Sequence, residues 1–101
     1  MTTQLTLIAR LTAKPEHSET LGESLRAMIA PTTREEGCLG YIVHRDNNDP
    51  NIWIVYETWV SHAALEFHFA QPYTASLLAR ASDILAKEAE MTYATAMNPR
   101  S

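Results

Sequence analysis

The sequence predicts an α+β fold of the ferredoxin-like βαββαβ type, a split βαβ pattern with an antiparallel sheet and helices on one of its faces. Three observations predict it. Strand-like segments fall at 5–12, 39–45, 52–59 and 91–97, apolar stripes with helical spacing lie over 21–29 and 63–85, and the two kinds alternate in that order. With 101 residues the chain is expected to form one domain, 1–101.

Each element has a local reason. Leu5, Leu7, Ala9 and Leu11 alternate with Thr6, Arg10 and Thr12, Ile8 being the one apolar exception, which is the period of a half-buried strand. Lys14-Pro15 ends it, and Pro15 suits the first turn of a helix, where its missing N–H has no intrahelical partner. Glu16 and Glu19 then sit near the positive end of the helix dipole. Leu21, Leu25, Met28 and Ile29 form one apolar stripe. Pro31 disfavours helical geometry at Ala30, so the helix is expected to weaken or end about there. After Gly37 come a strand over 39–45, a dense run of turn formers (Asn47-Asn48-Asp49-Pro50-Asn51) and a strand over 52–59, which together predict a β-hairpin. Ser61 suits an N-cap. Helix follows over 63–70, Pro72 interrupts it, and Leu77, Leu78, Ala81, Ile84 and Leu85 restore the stripe before the last strand.

The third strand carries a further implication. Ile52-Trp53-Ile54-Val55-Tyr56 is apolar at both parities, whereas a sheet with one wet face alternates. Helices bury one face only. A second copy pressing the same surface is the economical cover for the other, so a homodimer through the sheet face, a dimeric α/β-barrel, is expected; exposure of Tyr56 and one isoleucine is the alternative.

Composition narrows the partners. Acidic residues outnumber basic ones 12 to 8, the formal charge is −4, and the cations are scattered singly, which argues against nucleic acid. No apolar run approaches the roughly 20 residues of a membrane helix, and the N-terminus lacks the pattern of a secretory signal. Cys38 is the single cysteine, which fits a reducing compartment, so a cytoplasmic location is the expectation.

His68 is the leading chemical candidate. Its helical neighbours Ala64, Leu65 and Phe69 are expected to face the sheet, so the imidazole points inward, where it can move a proton near neutral pH. A core histidine satisfied by one hydrogen bond fits the same residues. Glu57 shares strand parity with Trp53, Val55 and Trp59, so its carboxylate needs a partner or a raised pKa; His68, His44, Arg10 and Arg80 are the candidate partners, in a structural or a catalytic pairing. Trp59, Trp53, Phe67, Phe69 and Tyr73 are candidates for an aromatic wall that stacks on a flat substrate, or for plain core. Metal binding reads poorly, since His62 and His68 diverge by about 240° around a helix and no Cys/His cluster exists. With three glycines there is no phosphate loop and no nucleophile elbow, so any oxidation is expected to proceed without flavin, haem or metal.

Glu36-Gly37-Cys38-Leu39-Gly40-Tyr41, His44-Arg45-Asp46, Asp49-Pro50-Asn51, Val55-Tyr56-Glu57-Thr58-Trp59, Ala63-Ala64-Leu65 and His68 together resemble the antibiotic-biosynthesis monooxygenase family, including its quinol monooxygenases. The resemblance spans nearly the whole chain and is strongest at Tyr56-Glu57-x-Trp59 with His68 following. It implies a ferredoxin-like dimer with a pocket between sheet and helices in each subunit. Haem-degrading members are similar in arrangement but carry Trp where His68 stands and a haem-ligating His where this chain has Leu78, so haem degradation is not implied. Members often have His where this chain has Tyr73. The implied activity is a cofactor-independent oxygenase on a small phenol or quinol, with His68 and Glu57 as catalytic groups and Trp59, Tyr73 and Phe69 against the substrate. An isomerase or tautomerase using the same histidine, and a dimeric module that binds a small aromatic molecule without turnover, are the alternatives.

Overall fold

The computed structural model describes residues 4–98. Four strands, β1 (Leu5–Thr12), β2 (Cys38–Arg45), β3 (Ile52–Trp59) and β4 (Glu90–Ala94), form one sheet in the order β2-β3-β1-β4. Neighbouring strands are antiparallel throughout. Helix α1 (Ser18–Thr33) connects β1 to β2, and α2 (His62–Phe69) and α3 (Pro72–Ile84) connect β3 to β4. This is the expected ferredoxin-like arrangement: β3 enters between β1 and β2, which therefore run parallel to each other.

Local chemistry sets the boundaries. Pro15 opens a 3₁₀ turn, Pro15–His17, that leads into α1. In the β2–β3 turn, Asp46 Oδ1 accepts from the backbone N–H groups of Asn48 at 2.7 Å and Asp49 at 3.0 Å, an Asx turn that reverses the chain. Two expected boundaries differ. Helix α1 continues through Pro31 to Thr33. Proline strips the Ala27 carbonyl of its helical donor, but Ala27 is exposed and water can serve it, while the Thr33 hydroxyl donates to the Ile29 and Ala30 carbonyls at 2.8 and 3.1 Å. Strand β4 is Glu90–Ala94 rather than 91–97, because Ala94 already pairs with Thr6, one residue from the start of β1.

The core lies between sheet and helices. On β3, Trp53, Val55, Glu57 and Trp59 are buried under the helices, and Leu7 and Ala9 on β1 and Tyr41 on β2 join them. Trp53 is fixed from three sides. Its Nε1–H donates to Ser18 Oγ at 3.1 Å, the Arg45 guanidinium lies 4.6 Å from the ring centroid, and a Cβ at Gly22 would stand 2.4 Å from the indole. Only glycine lets α1 approach so closely. The other face carries Ile8, Ile42, Ile54 and Tyr56 at its centre, with Ile42 54% and Tyr56 42% exposed. Both parities of β3 are therefore apolar in the structure too, one against helices and one outward. Among the described residues no helix is long and apolar enough to cross a membrane.

Candidate functional site

Helix α2 begins where Ser61 Oγ accepts from the Ala64 backbone N–H at 3.1 Å, the expected N-cap. That start fixes which side chains face the sheet: Leu65 and His68 are buried, while Phe67 points outward. His68 is 2% exposed. Its Nδ1 stands 2.8 Å from Glu35 Oε2, and the Tyr73 hydroxyl donates to the same oxygen. A carboxylate oxygen is the acceptor that both contacts require, so Nδ1 carries the ring proton. In the neutral imidazole the Nε2 lone pair is then left for another group. Glu35 Oε1 is buried and has no hydrogen-bond partner among the described residues.

Four aromatic rings surround the imidazole. Their centroids lie at 4.7 Å for Trp59, 5.7 Å for Phe69, 5.9 Å for Tyr41 and 6.3 Å for Tyr73. Phe69, Tyr73 and Cys38 are half-buried and form the outer edge of the cluster. Burial pushes the Cys38 thiol up, against a smaller opposing effect of its backbone hydrogen bond with Gly40, so it is not a ready thiolate. Burial, and after it the hydrogen bond to Glu35, push the Tyr73 phenol up to about 12, which keeps it a hydrogen-bond donor.

Glu57 lies beside this group but not on His68. Its Oε1 accepts from Trp59 Nε1–H at 3.0 Å, a contact between residues two apart on one strand face. The four long-range partners expected for it are engaged or placed elsewhere: His68 with Glu35, Arg10 with Glu90 at 3.8 Å, Arg80 with Ser24 at 3.4 Å, and His44 on the outer face of the sheet. The expected pairing of His68 with Glu57 is therefore replaced by one with Glu35. Trp53 and Phe67 also fall outside the aromatic group, one at the far end of β3 and the other facing solvent. Reading the sequence missed Glu35, hidden in the charged run Arg34-Glu35-Glu36, and Tyr41, which strand parity places on the helix side of β2.

Burial raises the Glu57 pKa to about 7, with the charge of Glu35 adding to the rise and the Trp59 hydrogen bond opposing it. An acid whose pKa is higher folded than unfolded favours folding while it stays protonated. Its contribution is complete below the ordinary value of 4.5 and is lost as pH rises to about 7. The loss amounts to roughly 3 kcal/mol at most. Glu57→Gln keeps an acceptor for Trp59 and cannot ionise. Urea unfolding at pH 5 and pH 8 is expected to show the variant gaining on the wild type by that order between the two.

Cavities open at several places among the described residues. One of about 370 Å³ is a groove between α1 and α3 lined by Met28, Tyr73, Leu77 and Arg80; another lies on the outer sheet face near Ile42 and Tyr56; a third lies near Leu78 and Ala89. Of the five residues expected at the site, Tyr73 lines the α1–α3 groove. Among the described residues no three His, Cys, Asp or Glu side chains converge as metal ligands would.

The sequence profile of the antibiotic biosynthesis monooxygenase family matches residues 4–79. The chain belongs to this family. Among solved structures, this family member resembles PA3566 of Pseudomonas aeruginosa, with 35% identity, a TM-score of 0.91 and coverage of 97% of this chain and 98% of that one. It is similar at 26% identity and a TM-score of 0.91 to the structure of Rv0793 of Mycobacterium tuberculosis, covering 97% and 99%. That relative, named "Putative monooxygenase Rv0793", is 29% identical over 92 residues, 91% of this chain and 90% of its own length. Protein sll1783 of Synechocystis is 30% identical over 87 residues, 86% of this chain; the match spans 59% of that protein. The family assignment confirms the resemblance read from the 36–68 motifs.

Proposed function

We propose that the protein is a cofactor-independent monooxygenase that oxidises a small phenolic or quinol-type substrate with O₂. The observation that carries the reading is the buried His68, held through Nδ1 by Glu35 and enclosed by Trp59, Phe69, Tyr41 and Tyr73. Ground-state O₂ reacts slowly with closed-shell molecules, and a cofactor usually supplies the single electrons. A phenolate is electron-rich enough to supply them itself. His68 Nε2 takes the hydroxyl proton, Glu35 balances the imidazolium, and the aromatic surroundings exclude water. Trp59, Phe69 and Tyr73 stack against the ring of the substrate, and Glu57, protonated or ionised near neutral pH, is the second acid–base group. The stoichiometry closes: a hydroquinone plus O₂ gives a hydroxyquinone plus water, with no outside reductant.

The test is O₂ uptake by the purified protein with a panel of quinols and phenols. Uptake above the uncatalysed rate, with one water formed per O₂, is expected. Turnover that persists without oxygen assigns the same histidine to isomerisation instead, and saturable binding with no product assigns the protein to a non-catalytic role.

The homodimer belongs to this reading. Ile8, Ile42, Ile54 and Tyr56 form an outward apolar centre on the sheet, and a second copy of the same face buries it with twofold symmetry. Sedimentation at micromolar concentration is expected to give twice the chain mass of 11.3 kDa, and Tyr56→Arg to give the monomer. A monodisperse wild-type monomer overturns the dimer.

A further inference from the structure

We infer that Tyr73 is a proton port, connecting the buried Glu35–His68 pair to water in the groove between α1 and α3. The inference deepens the acid–base reading of His68 and rests on it for its use in turnover, but the path itself can be tested without substrate.

A buried base creates a problem that geometry must solve. The His68 side chain is 3% exposed and that of Glu35 5% exposed, so a proton taken up there has little direct contact with water. His68 Nδ1 leads to Glu35 Oε2, and Oε2 also receives the Tyr73 hydroxyl. Tyr73 is half-buried, sits on the first turn of α3, and lines the α1–α3 groove of about 370 Å³. Three hydrogen-bonding groups from three separate segments thus make one line from the interior to a residue that borders a surface groove, the Tyr73 hydroxyl also lying 3.4 Å from the Pro31 carbonyl oxygen. The cavities on the outer sheet face and near Leu78 and Ala89 are lined by different residues. The remaining titratable groups near the pair, Glu57, Tyr41 and Cys38, come from the sheet side and do not line the groove.

The step balances without any change in electron count. An outgoing proton leaves the imidazolium at His68 Nδ1 for Glu35 Oε2, leaving a neutral ring with its proton on Nε2; delivery of that proton to the reacting oxygen and the return of one along the line restore Nδ1–H and the Nε2 lone pair. The Tyr73 hydroxyl gives its own proton to a water in the groove and takes the one on Oε2, so the Nδ1–H bond breaks, a hydronium O–H bond forms, and carboxylate and phenol are restored. An incoming proton runs the line backwards. The high phenol pKa disfavours a free phenolate, so the two transfers at Tyr73 occur together.

The experiment is solvent exchange of the His68 Nδ1 proton, followed by NMR on protein labelled with ¹⁵N in histidine. The other histidines, His17, His44 and His62, are half-buried or exposed and exchange quickly. Tyr73→Phe removes the relaying hydroxyl, and Ala27→Leu leaves it in place but fills the groove beside it. Exchange is expected to slow by at least roughly tenfold in both, with the backbone spectrum unchanged. Unchanged or faster exchange in a folded Tyr73→Phe protein overturns the port. Slowing in that variant alone overturns the groove as the exit, and if Tyr73→Phe does not fold, Ala27→Leu decides by the same rate. Absent O₂ uptake with slowed exchange leaves the port standing and sinks the oxygenase reading; the reverse pattern does the opposite.

Discussion

Replacing Glu35 with alanine is expected to lower the free energy of unfolding by about 3–5 kcal/mol near neutral pH. The carboxylate serves His68 Nδ1 and the Tyr73 hydroxyl at once, in a setting where the side chains of both His68 and Glu35 are nearly dry. Removing it leaves the buried imidazole N–H facing a cavity and the Tyr73 hydroxyl with only the Pro31 carbonyl oxygen at 3.4 Å, and buried groups without partners are costly. In a domain of this size, where total stability is about 5–15 kcal/mol, the loss is a large fraction of the whole. Glu35→Gln separates shape from charge. Its carbonyl oxygen, standing where Oε2 stands, still accepts both hydrogen bonds, but without charge, and its amide N–H groups replace the unpartnered Oε1, so its cost is expected nearer 1–2 kcal/mol, on the order of one unpaired buried polar group. The cycle with His68→Ala isolates the His68–Glu35 contact, because the double variant keeps neither of those two groups to be left facing the other's absence, while the Tyr73 hydroxyl loses Glu35 equally in both proteins that lack it. The double variant is expected to be more stable than the sum of the single losses by roughly 0.5–3 kcal/mol. Urea unfolding of the wild type and the four variants measures all of this. A Glu35→Ala cost below about 1 kcal/mol shows that water reaches the pair and that burial does not govern it.

That residue also marks where reading the sequence stops. The elements are legible because their causes are local: the alternation from Leu5 to Leu11, the turn formers at 47–51, the Ser61 cap. The two-sided apolarity of β3 was legible for the same reason, and Tyr56 and Ile54 do face away from the helices. Glu35 was not, because its burial is a tertiary event. The chain leaves α1 through a tight turn in which Glu35 N–H donates to Thr32 O at 3.0 Å and Cys38 N–H to Glu35 O at 3.1 Å. That turn sends the middle of three charged residues inward and leaves its neighbours Arg34 and Glu36 in solvent. No periodicity crosses a turn. Glu57 shows a subtler failure. Its burial follows from strand parity, yet its partner is not a distant cation but a donor two residues away on the same face. An indole N–H satisfies a carboxyl oxygen without bringing a charge, which is why the pKa stays high. Pro31 teaches the same point in reverse, since a strong local preference yielded where water could serve the freed carbonyl and a threonine hydroxyl could serve its neighbours.

His68→Asn is expected to lower kcat for quinol oxidation by about 10²–10⁴-fold. Asparagine is the sharpest choice because its amide can still donate to Glu35 Oε2, so the buried carboxylate keeps a partner and the fold keeps its packing. What disappears is the lone pair that imidazole offers at Nε2. If His68 removes the hydroxyl proton, the loss falls on the step that makes the phenolate, and KM stays within a few-fold of wild type. If His68 merely shapes the pocket, the loss falls on KM instead. Two further readouts sharpen the distinction. A substrate already ionised at the assay pH needs no base, so the variant's deficit is expected to shrink with increasingly acidic phenols. The residual activity is expected to rise with pH as hydroxide takes over the deprotonation. A deficit that is the same for every phenol acidity denies His68 the role of base even if the rate falls steeply, because a group that only holds the ring in place is indifferent to how readily the substrate gives up its proton.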